Sequence, residues 1–543
     1  MEKVHVAGLY LVVSIVMLVL PHEGFSLNVQ GLCDRTEPSQ RIALLDNAMN
    51  ELSDRYDVRN GLAMLTECDP QDPNMPESCK NFNNPSLYYG GTSTRCSQIP
   101  CAIETPPSFI PGSSMYSQPS KSDANLVFGC LPPPCMYFSI REYLYERGLS
   151  SVNESGNGGS DNDGGLQRPP DPTDPLTRVV VDTVWFDSYN HLNIKCTAAP
   201  GTQKFGAAFA HISTANRNVA KDIKEALVSK GFPASAINVD GIPNNWAVLE
   251  GATSDRDSFR TVVRVAKPCD NPQSCDEYTD LTNFNLLVRS LRPKSNVPSP
   301  TFDPFPQPEP TVRITGTTEN SIVGDNAMRK LLAAVSTYYG KPQYRMVGQA
   351  KNFSWEDCIS KGDYCWGENF DTAYVDFTKP ALIRPQSDDF IVVCGGNHIE
   401  LEYSVYTSVG LFNPEGLATG LIEDSDKVDS ASCYSPDLDD QTSKQLYCVE
   451  VRAEGKCPQN GPCVELSNAD FPQVYIQNRI NLHPTTMTGP DPSELIMPVL
   501  YGYIGSTTPP ITCPTSSTKH KSNKGTIREL LSYMQFLMTG VDT

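Results

Sequence analysis

Eighteen cysteines set the first constraint on this chain. They fall into three groups. The first holds Cys33, Cys68, Cys79, Cys96, Cys101, Cys130 and Cys135, the second Cys196, Cys269 and Cys275, and the third Cys358, Cys365, Cys394, Cys433, Cys448, Cys457, Cys463 and Cys513. No two stand in the Cys-x-x-Cys spacing of zinc ribbons and thioredoxin-like redox sites, so the reading is a disulfide framework. Groups of seven, three and eight cannot all close within themselves. With full pairing, at least one bridge must leave the first group, most simply for the second. Short-range partners suggest Cys96–Cys101, Cys130–Cys135, Cys68–Cys79 and Cys269–Cys275, which leaves Cys33 for Cys196. Cys358, Cys365, Cys457 and Cys463 are expected in bridges too.

Disulfides need an oxidising compartment, and the first residues agree with one. Lys3 precedes an apolar run from Ala7 to Leu20, followed by Pro21 and the small-residue stretch Gly24-Phe25-Ser26. That order reads as a secretory signal peptide over residues 1–26, with a mature chain starting near Leu27. The apolar run is too short for a membrane span, which takes about 20 residues. The expected product is secreted, extracellular and without a membrane span. Its net charge of −20 argues against nucleic acid, whose phosphates it would repel, and for cations or basic partners. Sequons at Asn153 and Asn352 suggest glycosylation.

Two tracts divide the chain. Residues 151–175 contain NESGNGGSDNDGGLQRPPDPTDP, a polar Gly/Asp/Pro run that cannot bury a core. Residues 292–311, RPKSNVPSPTFDPFPQPEPT, favour an extended, semi-rigid spacer. The expected parts are a cysteine-rich region over 27–150, an α/β domain over 176–291 and a β-rich α/β domain over 312–543. The last is expected to end in a helix bearing Ile527, Leu530, Leu531, Met534, Leu537 and Met538 on one face. The fold class expected is mixed, α+β with α/β.

The second and third parts share an order of features. Val219, Ile223, Ala226 and Leu227 mark an amphipathic helix near residues 215–230, stopped by Gly231. Met328, Leu331, Leu332 and Val335 mark another, stopped by Gly340. Each glycine is followed by x-Pro, a short apolar segment, and a tryptophan (Trp246, Trp355). A strand ended by proline follows in both, from Thr261 to Pro268 and from Thr372 to Pro380. The order reads as an internal duplication of a helix-plus-antiparallel-sheet unit, and a cleft between two such units is a default ligand site.

The stretch Gly395–Tyr403, GGNHIELEY, carries the sharpest candidate chemistry. Between strands at Asp389–Cys394 and Ser404–Leu411 it reads as a hairpin turn and start of a strand. Alternation then sets His398, Glu400 and Glu402 on one face, with Ile399, Leu401 and Tyr403 on the other. The hairpin accounts for these residues without chemistry, while the aligned trio is also a candidate metal or acid–base cluster. Loop carboxylates Asp424, Asp426 and Asp429 are candidate calcium ligands. No His-Glu-x-x-His, nucleophile elbow, phosphate loop or dinucleotide fingerprint is present. The functional expectation is an extracellular binding or matrix protein, with an extracellular protein or glycan as partner. The alternative is a secreted hydrolase using carboxylate or histidine chemistry in an inter-domain cleft, with calcium as a candidate cofactor.

Overall fold

The structure is a computed structural model that describes residues 32–33, 38–67, 87–93, 119–148, 178–244, 246–250, 256–269, 278, 285–309, 311–324, 326–351, 355–361, 365, 369–384, 387–414, 418–458, 461–466, 472–506, 508–509, 511 and 513. The signal peptide, the tract over 151–175, both sequons and the C-terminal helix fall outside the described residues.

One large sheet dominates the first half. Its strands are β1 (Tyr56–Glu67), β2 (Leu87–Ser93), β3 (Ala124–Cys130), β4 (Cys135–Gly148), β5 (Arg178–Thr183), β6 (Tyr189–Asn190), β7 (Ala208–Thr214), β8 (Ile237–Gly241), β9 (Ser258–Cys269) and β10 (Leu286–Pro293). They run in the order β5-β4-β9-β2-β1-β10-β3-β7-β8, with β6 also on β4. Strands from before and after the 151–175 tract therefore interleave: β9 lies between β4 and β2, and β10 between β1 and β3. Among the described strands of this sheet, only β7 and β8 pair in parallel, because a helix crosses between them.

Two helices cover one face of this sheet, α1 (Pro38–Leu52) and α2 (Arg217–Ser229). Helix α2 forms where the apolar spacing predicts. Asn216 caps it by accepting from the Asn218 N–H, and Val219, Ile223, Ala226 and Leu227 are buried. They pack with Leu44, Leu45 and Ala48 of α1 onto Leu126, Phe128, Ala210 and Ile212 of the sheet. Gly231 ends the helix at φ +89°, a left-handed conformation that glycine adopts without steric cost. The Pro-rich segment after β10 runs over this layer. Asp303 accepts from the Arg217 N–H at 2.8 Å, and Phe305 packs against the core.

The second half is a two-sheet sandwich with a helical cover. Its helices are α3 (Glu319–Val323), α4 (Ala327–Tyr339), α5 (Trp355–Lys361), α6 (Asp424–Lys427), α7 (Ser430–Tyr434) and α8 (Asp440–Gln445). Its strands are β11 (Tyr344–Val347), β12 (Gln349–Ala350), β13 (Thr372–Asp376), β14 (Ala381–Leu382), β15 (Phe390–Gly396), β16 (Tyr406–Phe412), β17 (Ala418–Ile422), β18 (Leu446–Ala453), β19 (Cys463–Leu466), β20 (Gln473–Asn481) and β21 (Val499–Tyr503). One sheet runs β11-β21-β15-β18-β19; the other runs β12-β13-β20-β16-β17, with β14 on β20. Ile391, Val393, Val449 and Val451 of the first meet Val409, Leu411 and Ile476 of the second. Leu331 and Val335 of α4 cover the other side, against Val392, Cys394 and Cys448. The protein is thus a mixed helix-and-sheet structure. The matched segments form helix and strands in the same order, α2–β8–β9 and α4–β11–β13. Their pairing differs, since β8 runs parallel to β7 and β11 antiparallel to β21.

Five disulfides are formed among the described residues: Cys33–Cys130, Cys358–Cys365, Cys394–Cys448, Cys433–Cys513 and Cys457–Cys463. The first corrects two expectations, because Cys33 bonds neither Cys196 nor leaves Cys130 for Cys135. Short spacing misled here: β3 and β4 are successive in the chain but have four strands between them in the sheet. Arg41 fixes the new junction, donating to the Leu32 carbonyl and the Cys130 sulfur. Cys196 is buried and uncross-linked. The bridges expected at Cys68–Cys79, Cys96–Cys101 and Cys269–Cys275 involve side chains outside the described residues. Among the described residues, no helix is long and apolar enough to cross a membrane.

The halves meet face to face. Tyr137 and Ala266 pack on Val405, Tyr406 and Leu482. Tyr137 donates to Asp371 Oδ2 at 2.9 Å, Asn190 donates to Asp371 Oδ1 at 3.1 Å, and Asn369 donates to the Tyr137 hydroxyl at 2.7 Å. Burial pushes the Asp371 carboxyl up to about 7. Arg147 adds a second tie, bonding the Trp246 and Ile359 carbonyls at 2.8 Å each while paired with Asp257.

Candidate functional site

The GGNHIELEY stretch does not form the expected hairpin. Strands β15 and β16 flank it but belong to different sheets, and residues 398–402 turn from one to the other. Strand β15 is buried along its whole length, between the sandwich interior and α4, so alternation gives no guide to the residues beyond it. The three candidate side chains diverge. His398 is 2 % exposed, with Nδ1 2.6 Å from Glu319 Oε1, while Glu400 and Glu402 stay exposed. Glu319 Oε2 also accepts from the Ile496 N–H at 2.6 Å. His398 thus helps to hold α3 against the sandwich. Replacing His398 by alanine is expected to cost about 3–5 kcal/mol, because it strands a buried carboxylate. Glu400→Ala is expected to stay within about 0.5 kcal/mol of wild type. Urea midpoints check both.

The loop carboxylates are also committed elsewhere. Asp424 accepts from Thr407 and from Lys427 at 2.9 Å, and Asp426 accepts from the Glu423 N–H at 2.9 Å in a capping box. Asp429 stands at φ +56° before α7. Asp424, Asp426 and Asp429 start helices rather than converge. Among the described residues, no group of three or more His, Cys, Asp or Glu side chains is placed to hold a metal ion.

A different constellation lies inside the first half. Along β4, Phe138 and Ile140 face the interior with Phe209, Val263 and Val265. Alternation puts Glu142 of β4, His211 and Ser213 of β7, and Thr261 of β9 on that same face. The sheet curls until β8 approaches β4. Strand β6 pairs with Ser139 and Ile140, and β5 with Leu144 onward, so the Glu142 N–H falls in the gap between them. Asp240 of β8 fills the gap and accepts that N–H at 3.0 Å. Its other oxygen lies 3.3 Å from Arg141 Nη1, and His211 Nε2 stands 3.6 Å from the carboxylate. Arg141, Glu142, His211 and Asp240 are all 1 % exposed or less.

Burial governs the electrostatics. It pushes Glu142 up to about 8, with Asp240 adding to the rise while the hydroxyls of Thr261 and Ser213 and the charge of Arg141 oppose it. Burial lowers His211 to about 4, and Arg141 lowers it further while Asp240 opposes. At neutral pH the group therefore holds a neutral Glu142 and a neutral His211. Thr261 donates to Glu142 at 2.6 Å. Arg141 Cζ lies 3.5 Å from the centroid of the Phe186 ring, and Nη1 donates to the Asp187 carbonyl at 3.0 Å. Among the described residues, Arg141 Nε and Nη2, both His211 ring nitrogens and Trp185 Nε1 have no hydrogen-bond partner. Buried polar atoms are nearly always satisfied. So many exceptions around one carboxylate mark this as the candidate site, where shifted titrations and open hydrogen-bonding capacity coincide.

Sequence reasoning missed this site. The local signal is Arg141-Glu142 inside an aromatic and apolar strand, and alternation sends the two to opposite faces, one of which it reads as wet. Both faces are in fact buried. Asp240 and His211 come to Arg141 only through the closure of the sheet, which periodicity does not encode.

No protein-family model matches the chain, and no curated protein matches it. Among solved structures, an uncharacterized protein from Burkholderia cenocepacia is similar at 11 % identity and a TM-score of 0.34, over 89 % of this chain and 91 % of that one. A likeness of that size carries no argument. The fold itself defines a mixed helix-and-sheet protein cross-linked by disulfides.

Proposed function

We propose that this chain is an exported binding protein of the extracellular space, acidic, glycosylated at Asn153 and Asn352, and braced by disulfides. The carrying observation is the set of bridges with long spans. Cys33–Cys130, Cys433–Cys513 and Cys394–Cys448 join residues 97, 80 and 54 apart. Cytosolic thiol buffers keep such pairs reduced, so the framework suits an oxidising compartment. Binding is favoured over hydrolysis because His398 is engaged with Glu319, and Glu400 and Glu402 face away from it. An extracellular protein or glycan is the proposed partner.

Expression of the full chain in a eukaryotic secretory host tests this reading. The expected product lies in the medium, begins near Leu27, and loses mass on deglycosylation at two sites. A cytosolic product that keeps residues 1–26 and carries reduced Cys33 and Cys130 would overturn it.

A further inference from the structure

We propose that Arg141, with His211 and Asp240 beside it, forms an internal binding site for a small carboxylate, seated on the Nε/Nη2 edge of the guanidinium. The inference deepens the binding reading above by naming a ligand class, and its test does not depend on where the protein resides.

The argument starts from which parts of Arg141 are used. The Phe186 ring packs against the guanidinium, its centroid 3.5 Å from Cζ. Nη1 is turned to the Asp187 carbonyl at 3.0 Å and to Asp240 at 3.3 Å. The remaining edge carries Nε and Nη2, whose two N–H groups point in parallel, and neither has a partner among the described residues. That fork matches the two oxygens of a carboxylate, which it binds through a pair of charge-assisted hydrogen bonds. Trp185, whose indole N–H also lacks a partner, has its ring 5.2 Å from Arg141 Cζ. These donors sit where no solvent reaches, so an acceptor that satisfies them recovers the cost of burying them.

Charge sets a condition on the ligand. Arg141 and Asp240 balance each other, and burial keeps Glu142 and His211 neutral at pH 7. An added carboxylate leaves one uncompensated negative charge in a buried space. His211 is the group placed to offset it, by taking a proton. Its surroundings are Asp240 on β8, Arg141 and Glu142 on β4, and the Tyr189 ring on β6, 5.3 Å away. Anion binding and proton uptake are then linked, one for one. Because Arg141 is fully buried, the anion enters only when the sheet opens locally, and exchange is slow.

Carbon-13 formate titrated into the purified full chain, followed by NMR at pH 5.5 and pH 6.5, where Glu142 keeps its proton, tests the proposal. The expected result is one bound resonance per chain in slow exchange, with affinity rising by up to about tenfold per pH unit as the pH falls. Arg141→Lys keeps the charge but removes the fork, and is expected to abolish the resonance while near-ultraviolet circular dichroism stays native. His211→Gln is expected to bind with no pH slope. The proposal is overturned by the absence of a bound resonance in the wild type, or by an undiminished one in folded Arg141→Lys. Should Arg141→Lys not fold, the wild-type resonance and the flattening in His211→Gln decide alone, and failure of either overturns it.

Discussion

Replacing Cys33 and Cys130 together by alanine is expected to lower the unfolding free energy by about 4–5 kcal/mol, the loop-closure value for a crosslink spanning roughly 100 residues. The bridge joins residues 97 apart, and it is what fastens the segment before α1 to the end of β3. Without it the unfolded chain gains the freedom of that long loop, while the folded chain keeps Arg41 on the Leu32 carbonyl. The same exchange at Cys457 and Cys463, only 6 residues apart, is expected to cost less by about 2 kcal/mol on the same loop-closure basis. Urea unfolding of the two double variants separates them. Equal losses, or a loss under about 1 kcal/mol at Cys33–Cys130, would show that native contacts rather than chain entropy set the effect.

The second large effect concerns pH. Glu142 has a folded pKa of about 8, above its ordinary value of 4.5. The folded chain therefore holds a proton that the unfolded chain releases between those values. This contribution to stability is complete below pH 4.5 and is lost as the pH rises through about 8. Integrated over that window it amounts to something on the order of 4 kcal/mol. Glu142→Gln keeps a carbonyl oxygen for the Thr261 hydroxyl and removes the titration. It is expected to equal or fall slightly below wild type at pH 5 and to exceed it clearly at pH 9. Asp371, raised to about 7, acts in the same direction over a lower window, and Asp371→Asn is the companion measurement. His191 and His211, both lowered to about 4 by burial, act oppositely, removing stability as the pH falls below the ordinary histidine range. Superimposable profiles for wild type and Glu142→Gln between pH 5 and 9 would sink the account.

Local features of this fold were legible in the chain, and long-range ones were not. The faces of α2 and α4 and the glycines that stop them follow from spacing over a dozen residues, and the strand expected at Asp389–Cys394 from its β-branched content forms at Phe390–Gly396. His398 was visible as a candidate, but Glu319, which decides what it does, lies 79 residues earlier. Cysteine parity called for a bridge out of the first group, but Cys33 closes within it on Cys130 and Cys196 stays free, and nearness in sequence gave Cys130 the wrong partner. Arg141 and Glu142 were hidden for a physical reason. A strand buried on both faces can carry charged residues only where other strands bring them partners, and those strands are assembled from distant parts of the chain.

The interleaving of the first sheet also dictates when it can assemble. A chain synthesised from its amino end delivers β1, β2, β3 and β4 well before β9 and β10, which occupy the places between them. Until about Pro293 has emerged, β1 and β3 have no common neighbour and their edges stay open. Open edges recruit other chains, so this stage is the one most exposed to aggregation. The first sheet must therefore assemble from a polypeptide more than half made rather than strand by strand, and a chain cut short before Leu286 lacks the strand that joins β1 to β3.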